Sequence, residues 1–177
     1  MIVKSISHTL RKSPTELIKY IFDGRKPLLD PEGNPLYFKR NVRSYDKDKW
    51  KKSFNQLEQN RQSHYGNKSV VAYHEVISFH PESTKHLNRA LIKDLVNRYI
   101  ELRCNDQIVV GGTHFEADGK NWHTHLIFSG IKQSDGRSAR ISQARFEAIK
   151  KELQKYQMEK YPEISDSVVE HGRKKKD

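Results

Sequence analysis

The feature that most narrows the choice of fold is a pair of strand-like segments close together in the chain. Residues 107–115 and 121–129 are rich in β-branched and aromatic side chains, and the turn-forming residues 117–120 lie between them. Such a pair predicts an antiparallel β-hairpin, because parallel neighbours need a crossover of about a dozen residues or more. Any fold for this chain must therefore contain antiparallel sheet.

The remaining sequence alternates predicted strands and helices. Further strands are predicted over residues 2–7 and 70–79, and helices over residues 14–22, 46–63, 84–102 and 142–159. Ser13 followed by Pro14 is typical of a helix start. Because helices flank local hairpins, the expected fold class is α+β, with a mainly antiparallel central sheet flanked by helices.

The length of 177 residues corresponds to about one domain. We predict a single domain over residues 1–172 with a basic insertion at about 24–66, followed by a basic tail at 173–177. No stretch approaches the roughly 18 apolar residues of a membrane-spanning helix. The lone Cys104 cannot form an internal disulfide, which favours a reducing, cytoplasmic location.

The charge indicates a polyanionic partner. Lysine and arginine number 33 against 22 acidic residues, so the formal net charge is +11. An unpaired positive surface attracts polyanions by releasing their condensed counterions. Residues 37–52 hold seven of the basic residues, interleaved with Tyr37, Phe38, Tyr45 and Trp50. A solvated loop and helix is the alternative interpretation of this segment.

Three histidines in the hairpin form a candidate metal site. His123 and His125 are two residues apart, so their side chains leave the same face of the sheet. His114, on the preceding strand, comes opposite or diagonal to them. Three converging imidazoles with an open side are typical of a catalytic metal centre, although ordinary strand histidines are the alternative. Glu116, two residues after His114, can orient one imidazole by accepting a hydrogen bond from it.

The sequence contains no H-E-x-x-H helix, Walker loop, G-x-S-x-G or paired-carboxylate signature, which argues against a protease or an NTPase. A metal site in a basic chain favours phosphodiester chemistry, with either a water or a side chain as nucleophile. Tyr20 is the candidate side chain, because it lies at the edge of the apolar arc of the first helix and can present its hydroxyl to a cleft. A half-buried structural tyrosine is the alternative.

These motifs resemble the relaxase branch of the HUH endonuclease superfamily. The segment from His114 through the His123-Thr124-His125 triplet is similar to its third motif, and the His74…Ser78-Phe79 spacing to its middle motif. Lys19-Tyr20-Ile21 resembles the first motif, which supplies the catalytic tyrosine. The tyrosine precedes the histidines, as in relaxases, whereas rolling-circle replication initiators usually place it after them.

The resemblance implies a palm-like fold and metal-dependent, site-specific nicking and rejoining of single-stranded DNA at an origin of transfer, in plasmid or mobile-element mobilisation. It implies that Tyr20 forms a 5′-phosphotyrosine. It also implies one divalent ion, Mg or Mn, held by the three histidines. Arg40, Arg43 and Trp50 are expected to clamp the strand by phosphate contacts and stacking. Accessory mobilisation proteins are further expected partners, in the cytoplasm of a bacterial or mobile-element host cell.

The sequence departs from the relaxase pattern at two points. Glu116 stands where an aspartate is usual, and the interval of nine between His114 and His123 is long. Tyr37, Tyr45 and Tyr65 are substitute nucleophiles should Tyr20 be structural. The competing functions are a rolling-circle replication initiator, a non-catalytic DNA-binding module with a vestigial metal site, and a domain that zinc merely structures.

Overall fold

A computed structural model describes residues 1–9, 13–23, 28–62, 64, 66–116 and 122–167. Its strands are β1 (Ile2–Thr9), β2 (Tyr37–Arg40), β3 (Val70–Ser78), β4 (Val109–His114) and β5 (His123–Ser129). Its α-helices are α1 (Pro14–Phe22), α2 (Lys47–Glu58), α3 (Arg89–Arg103) and α4 (Gln143–Lys160), with 3₁₀ helices at Pro81–His86 and Pro162–Ser167. None of the helices in these described ranges has the length and apolar character that a bilayer crossing requires.

The strands form one antiparallel sheet in the order β1-β3-β5-β4-β2. The predicted hairpin is its centre, with His114 paired to His123. The α+β prediction is confirmed. The turn at 117–120, Gly24, Tyr65 and the predicted tail at 173–177 lie outside the described residues, and the single domain over 1–172 stays a prediction.

Helices cover both faces of the sheet, because successive strand residues point to opposite sides. Ile127 of β5 packs with the apolar sides of α1 and α2, in a cluster that includes Ile18 and Phe54. Its neighbour Phe128 belongs to the second cluster, with apolar residues of α3 and α4. The sheet thus has an α1–α2 face and an α3–α4 face, and β5 contributes fully buried residues to both.

The basic segment at 24–66 contributes both a strand and a helix. β2 pairs with β4 and buries Phe38, while α2 buries Trp50, Phe54 and Leu57. The sequence did not reveal β2, because four residues are too few to show an alternating pattern. This segment therefore supplies one edge of the sheet and part of the core.

The third helix begins later than the sequence predicts. A 3₁₀ helix occupies Pro81–His86, Leu87 is extended, and α3 starts at Arg89. Asn88 caps α3, since its side-chain oxygen accepts a hydrogen bond of 2.9 Å from the Leu91 amide. The Asn cap satisfies an otherwise unpaired amide, so the helix starts there and not at Thr84.

A buried ion pair fixes β3 against the α3–α4 face. Glu75 is fully buried and accepts hydrogen bonds from Arg103 Nε at 2.8 Å, from Ser5 Oγ at 3.2 Å and from the Tyr99 hydroxyl. Burial and the Glu75 charge raise the pKa of Tyr99 well above its usual value, so this phenol remains a donor. The Arg103 guanidinium also lies 4.8 Å from the Phe128 ring centroid. The carboxylate is thus compensated on several sides, as a buried charge must be.

Candidate active site

The three hairpin histidines converge on the α1–α2 face of the sheet. His114, His123 and His125 each offer a ring nitrogen, and these atoms lie within 4.8 Å of one another. The ring centroids are 4.6 to 5.1 Å apart. All three side chains are nearly buried, with 3%, 9% and 8% exposure. The predicted convergence is therefore present in the structure, and the group can hold a metal ion.

Strand register produces this convergence. His114 of β4 is paired directly with His123 of β5, and His125 is paired with Gly112. Residues directly opposite and two apart on one strand share a face of the sheet. A shift of one residue between β4 and β5 would send His114 to the other face.

A fourth histidine orients one of the three. His74 Nε2 lies 2.7 Å from His125 Nδ1, and the two rings stack with centroids 5.0 Å apart. Burial, reinforced by the charge of His8, lowers the pKa of His74 to about 4. His74 is therefore neutral near pH 7, and its Nε2 can accept the proton of His125 Nδ1. That tautomer of His125 leaves Nε2 as its lone-pair nitrogen, as a metal ligand requires.

Helix α1 orients another of the three. His114 Nε2 donates a hydrogen bond of 2.8 Å to the Ile21 carbonyl, because a carbonyl can only accept. Nδ1 is then the lone-pair nitrogen of His114. Gly112 lets α1 come this close, since a Cβ there would lie 2.7 Å from a carbon of the Phe22 ring. The end of α1 is thus joined to the histidine cluster by a buried hydrogen bond.

Tyr20 is the residue before this contact. Its side chain is 69% exposed, whereas Leu17, Ile18 and Ile21 are buried against the sheet. The expectation that its hydroxyl is accessible is met, and the half-buried alternative does not apply. Among the substitute tyrosines, Tyr37 packs edge-on against Phe22, and Tyr45 is 55% exposed. The nucleophile itself is not identified by these positions.

Residues 37–52, which we call the basic aromatic segment, present different side chains from those expected. Arg40 and Arg43 are exposed, as phosphate contacts require. Trp50 is only 1% exposed, and its indole N–H donates to the Ser44 carbonyl at 2.6 Å. The prediction that Trp50 stacks on DNA is therefore corrected, because its ring lies in the core. Tyr45 is the exposed ring of this segment, and Lys39 Nζ lies 4.8 Å from its centroid.

Glu116 lies two residues after His114, the last residue of β4, and is half-buried. Its backbone carbonyl accepts a hydrogen bond of 3.2 Å from the Trp122 indole N–H. The orienting role of its carboxylate stays a prediction. The groups seen to orient the cluster are His74 and the Ile21 carbonyl, and sequence reasoning assigned neither.

The signal for His74 was present but incomplete. It lies in an apolar strand four residues before Ser78, and only the pairing of β3 with β5 places it beside His125. The two histidines are 51 positions apart in the chain, and no local pattern predicts their contact.

A family of known proteins matches most of this chain. The family described as Relaxase: MobA/VirD2-like, nuclease domain, matches residues 20–161. No curated protein matches the chain.

Solved structures share the fold. A metal-bound structure of the conjugative relaxase TrwC in complex with oriT DNA has 12% sequence identity and a TM-score of 0.58, with 97% of this chain and 73% of that chain covered. A Mn-bound crystal structure of the MobM relaxase domain, bound to plasmid pMV158 oriT DNA, has 15% identity and a TM-score of 0.59, with 97% and 90% covered. The likeness at these identities establishes the fold.

Proposed function

The chain belongs to the relaxase family, as a MobA/VirD2-like nuclease domain, and we propose from this premise which of its residues carry the reaction. The recognition of a relaxase from its motifs is confirmed, and the chain is a DNA endonuclease and strand transferase. The family match does not favour a rolling-circle initiator or a non-catalytic binding module. The TrwC and MobM structures hold oriT DNA, and we propose the same substrate class here.

We propose that His114, His123 and His125 hold one divalent ion. The observation that carries the proposal is the convergence of their ring nitrogens within 4.8 Å, with two of the rings oriented from outside the cluster. Imidazole nitrogens suit divalent transition metals, whereas Mg²⁺ prefers oxygen ligands. Phosphate oxygens of the substrate would complete the shell, and with them either Mn²⁺ or Mg²⁺ fits. A bound ion offsets negative charge on the non-bridging oxygens of the scissile phosphate.

Tyr20 is proposed as the nucleophile. Its oxygen attacks phosphorus, the bond from phosphorus to the 3′ oxygen breaks, and the phenolic proton ends on that leaving oxygen. The products are a 5′-phosphotyrosine and a free 3′-hydroxyl. One phosphodiester replaces another of similar energy, so the same residue can later rejoin the strand. Its exposure and its place next to Ile21, which contacts His114, support this role.

The surface around α1 is proposed to hold the strand. Arg43 would contact a phosphate, and Tyr45 replaces Trp50 as the residue that stacks on a base. Arg40 is exposed at the end of β2, but it is paired with Val109, whose partner Phe128 lies on the α3–α4 face. Arg40 would therefore contact only DNA that passes around the β2 edge. Accessory mobilisation proteins as partners and a cytoplasmic location belong to the same proposal.

A covalent-adduct assay tests the proposal. The full chain is incubated with random-sequence single-stranded oligonucleotides and Mn²⁺, and adducts are resolved on a denaturing gel and mapped by peptide sequencing. We expect an adduct on Tyr20 that Tyr20→Phe abolishes and Tyr45→Phe, the matched control, retains. An adduct that persists in Tyr20→Phe would assign the nucleophile to another residue.

Chelation provides the second arm of the assay. EDTA is expected to abolish the adduct while circular dichroism shows the secondary structure intact. Unfolding on chelation would support a metal that only structures the domain.

A further inference from the structure

The helices of the described residues leave part of the sheet face that carries the histidine cluster uncovered. On β1 the side chains of Ile2, Lys4 and Ile6 share this face, because Ile6 is paired with His74, which contacts His125. Ile2 is 40% exposed, Ile6 is 54% exposed, and Lys4 is exposed as well. We call the exposed residues Ile2, Lys4 and Ile6 the β1 strip.

The β1 strip lies in register with the histidine cluster. Lys4 is paired with Val76, which is paired with His125, and Ile2 follows the same route through Ser78 to His123. Two strand spacings of about 4.8 Å put the Lys4 and His125 backbones roughly 10 Å apart. Val76 and Ser78 between them are half-buried, so the surface is continuous from the strip to the cluster.

The strip and the basic aromatic segment lie on opposite sides of the cluster. β1 is one edge of the sheet, whereas β2, which begins the basic aromatic segment, is the other edge. The end of α1 reaches the β4 side through the contact between Ile21 and His114. A single-stranded DNA whose scissile phosphate lies at the histidine cluster must extend from it in two directions. Only one of these directions passes the basic aromatic segment.

We propose, on the basis of the proposed function, that the β1 strip binds the single-stranded DNA on the other side of the scissile phosphate. Lys4 contacts a backbone phosphate, and Ile2 and Ile6 provide apolar contact for bases. Single-stranded nucleic acid suits a surface that alternates a cation with apolar side chains, since it offers charged phosphates and flat apolar rings at once.

The lysine argues against a protein occupant. A charged lysine on an edge strand is a common device that prevents a second chain from pairing there. The overall charge of +11 favours a polyanion in the same sense. A second copy of the chain on the β1 edge remains an outcome that the experiment distinguishes.

The test measures binding without cleavage. A fluorescein-labelled 25-nucleotide oligo(dT) is titrated with full-length protein in EDTA, by anisotropy, at several salt concentrations. Lys4→Ala is expected to weaken binding about three- to tenfold and to lower the slope of log K against log salt by about 0.7, the value for one phosphate contact on single strands. Lys151→Ala is the matched control, because Lys151 is an exposed lysine of α4, on the opposite face of the sheet.

Ile6→Thr separates the apolar part of the proposal. It keeps a β-branched residue in the strand and is expected to weaken binding about twofold to fivefold with an unchanged salt slope, because no charge is removed. Sedimentation of each variant reports its oligomeric state.

The outcomes separate this inference from the proposed function. Equal affinity and salt slope for Lys4→Ala and Lys151→Ala overturn the β1 strip, and adduct formation by wild type then leaves the proposed function standing. If Lys4→Ala lowers the salt slope as expected but wild type forms no covalent adduct, the β1 strip is supported and the proposed nicking activity is refuted. A wild-type dimer that Ile6→Thr dissociates identifies the strip as a self-association face and overturns the proposal.

Discussion

Replacing His74 by leucine should weaken metal binding at the histidine cluster without touching a proposed ligand. His74 Nε2 lies 2.7 Å from His125 Nδ1, and both residues are nearly buried, at 6% and 8% exposure. With metal on Nε2, His125 must carry its proton on Nδ1, and leucine would remove the acceptor that lies 2.7 Å from Nδ1. A buried donor that loses its partner costs about 1 to 3 kcal/mol.

Only the metal-bound state incurs this cost in full. Without metal, His125 can move its proton to Nε2 and relieve the unpaired donor. We therefore expect the affinity for Mn²⁺ to fall about 10- to 100-fold, equivalent to about 1.4 to 2.7 kcal/mol. Isothermal titration calorimetry of the full chain measures this quantity directly and does not depend on cleavage.

Two variants control the measurement. His74→Gln keeps an oxygen acceptor for His125 and should retain more of the affinity than His74→Leu does. His86→Leu removes an exposed histidine from the 3₁₀ helix before α3 and should change nothing. Wild-type affinity in a folded His74→Leu variant would refute the orienting role, provided that His123→Ala abolishes binding in the same assay.

The remaining predictions concern packing around the cluster. Gly112→Ala places a Cβ 2.7 Å from an aromatic carbon of α1 and should destabilise the protein by about 1 to 3 kcal/mol, measured by thermal unfolding, and weaken Mn²⁺ binding as α1 shifts. Trp50→Ala should cost about 3 to 5 kcal/mol of unfolding free energy, whereas Tyr45→Ala should leave stability unchanged and weaken oligo(dT) binding; the reverse pattern would restore Trp50 as the stacking residue. Arg103→Met should cost about 3 to 5 kcal/mol in urea unfolding because it strands the buried Glu75 carboxylate. Adding Glu75→Gln to Arg103→Met should recover part of that unfolding free energy. An equal loss in the single and the double variant would attribute the effect to packing alone.

The histidine cluster could be predicted from sequence because its geometry is local. A spacing of two on one strand fixes a shared face, and a short connection forces the neighbouring strand to be antiparallel. The first rule suffices to place His123 and His125 on one face of the sheet. The second rule places the strand of His114 beside them. The apolar arc of α1 likewise predicted that Tyr20 lies outside the core, as its exposure shows.

The missed features depend on contacts between distant segments. Trp50 lies among basic residues in the sequence, yet Phe22 and Tyr37 surround its ring in the fold. Residue type and neighbouring charge cannot separate a ring that stacks on DNA from one that fills the core. The pairing of β2 with β4, which brings Tyr37 to that position, joins segments about 70 residues apart.

The two faces of β3 tie the stability of the fold to the geometry of the site. His74 and Glu75 are adjacent, so strand alternation sends one to the histidine cluster and the other to the α3–α4 face. The ion pair of Glu75 with Arg103 therefore fixes which side of β3 faces the cluster, since a slip of one residue would bury His74 against Arg103 and expose the carboxylate to the metal site. The rigid ion pair on the far side of the sheet thus helps to fix the orientation of His125 on the near side.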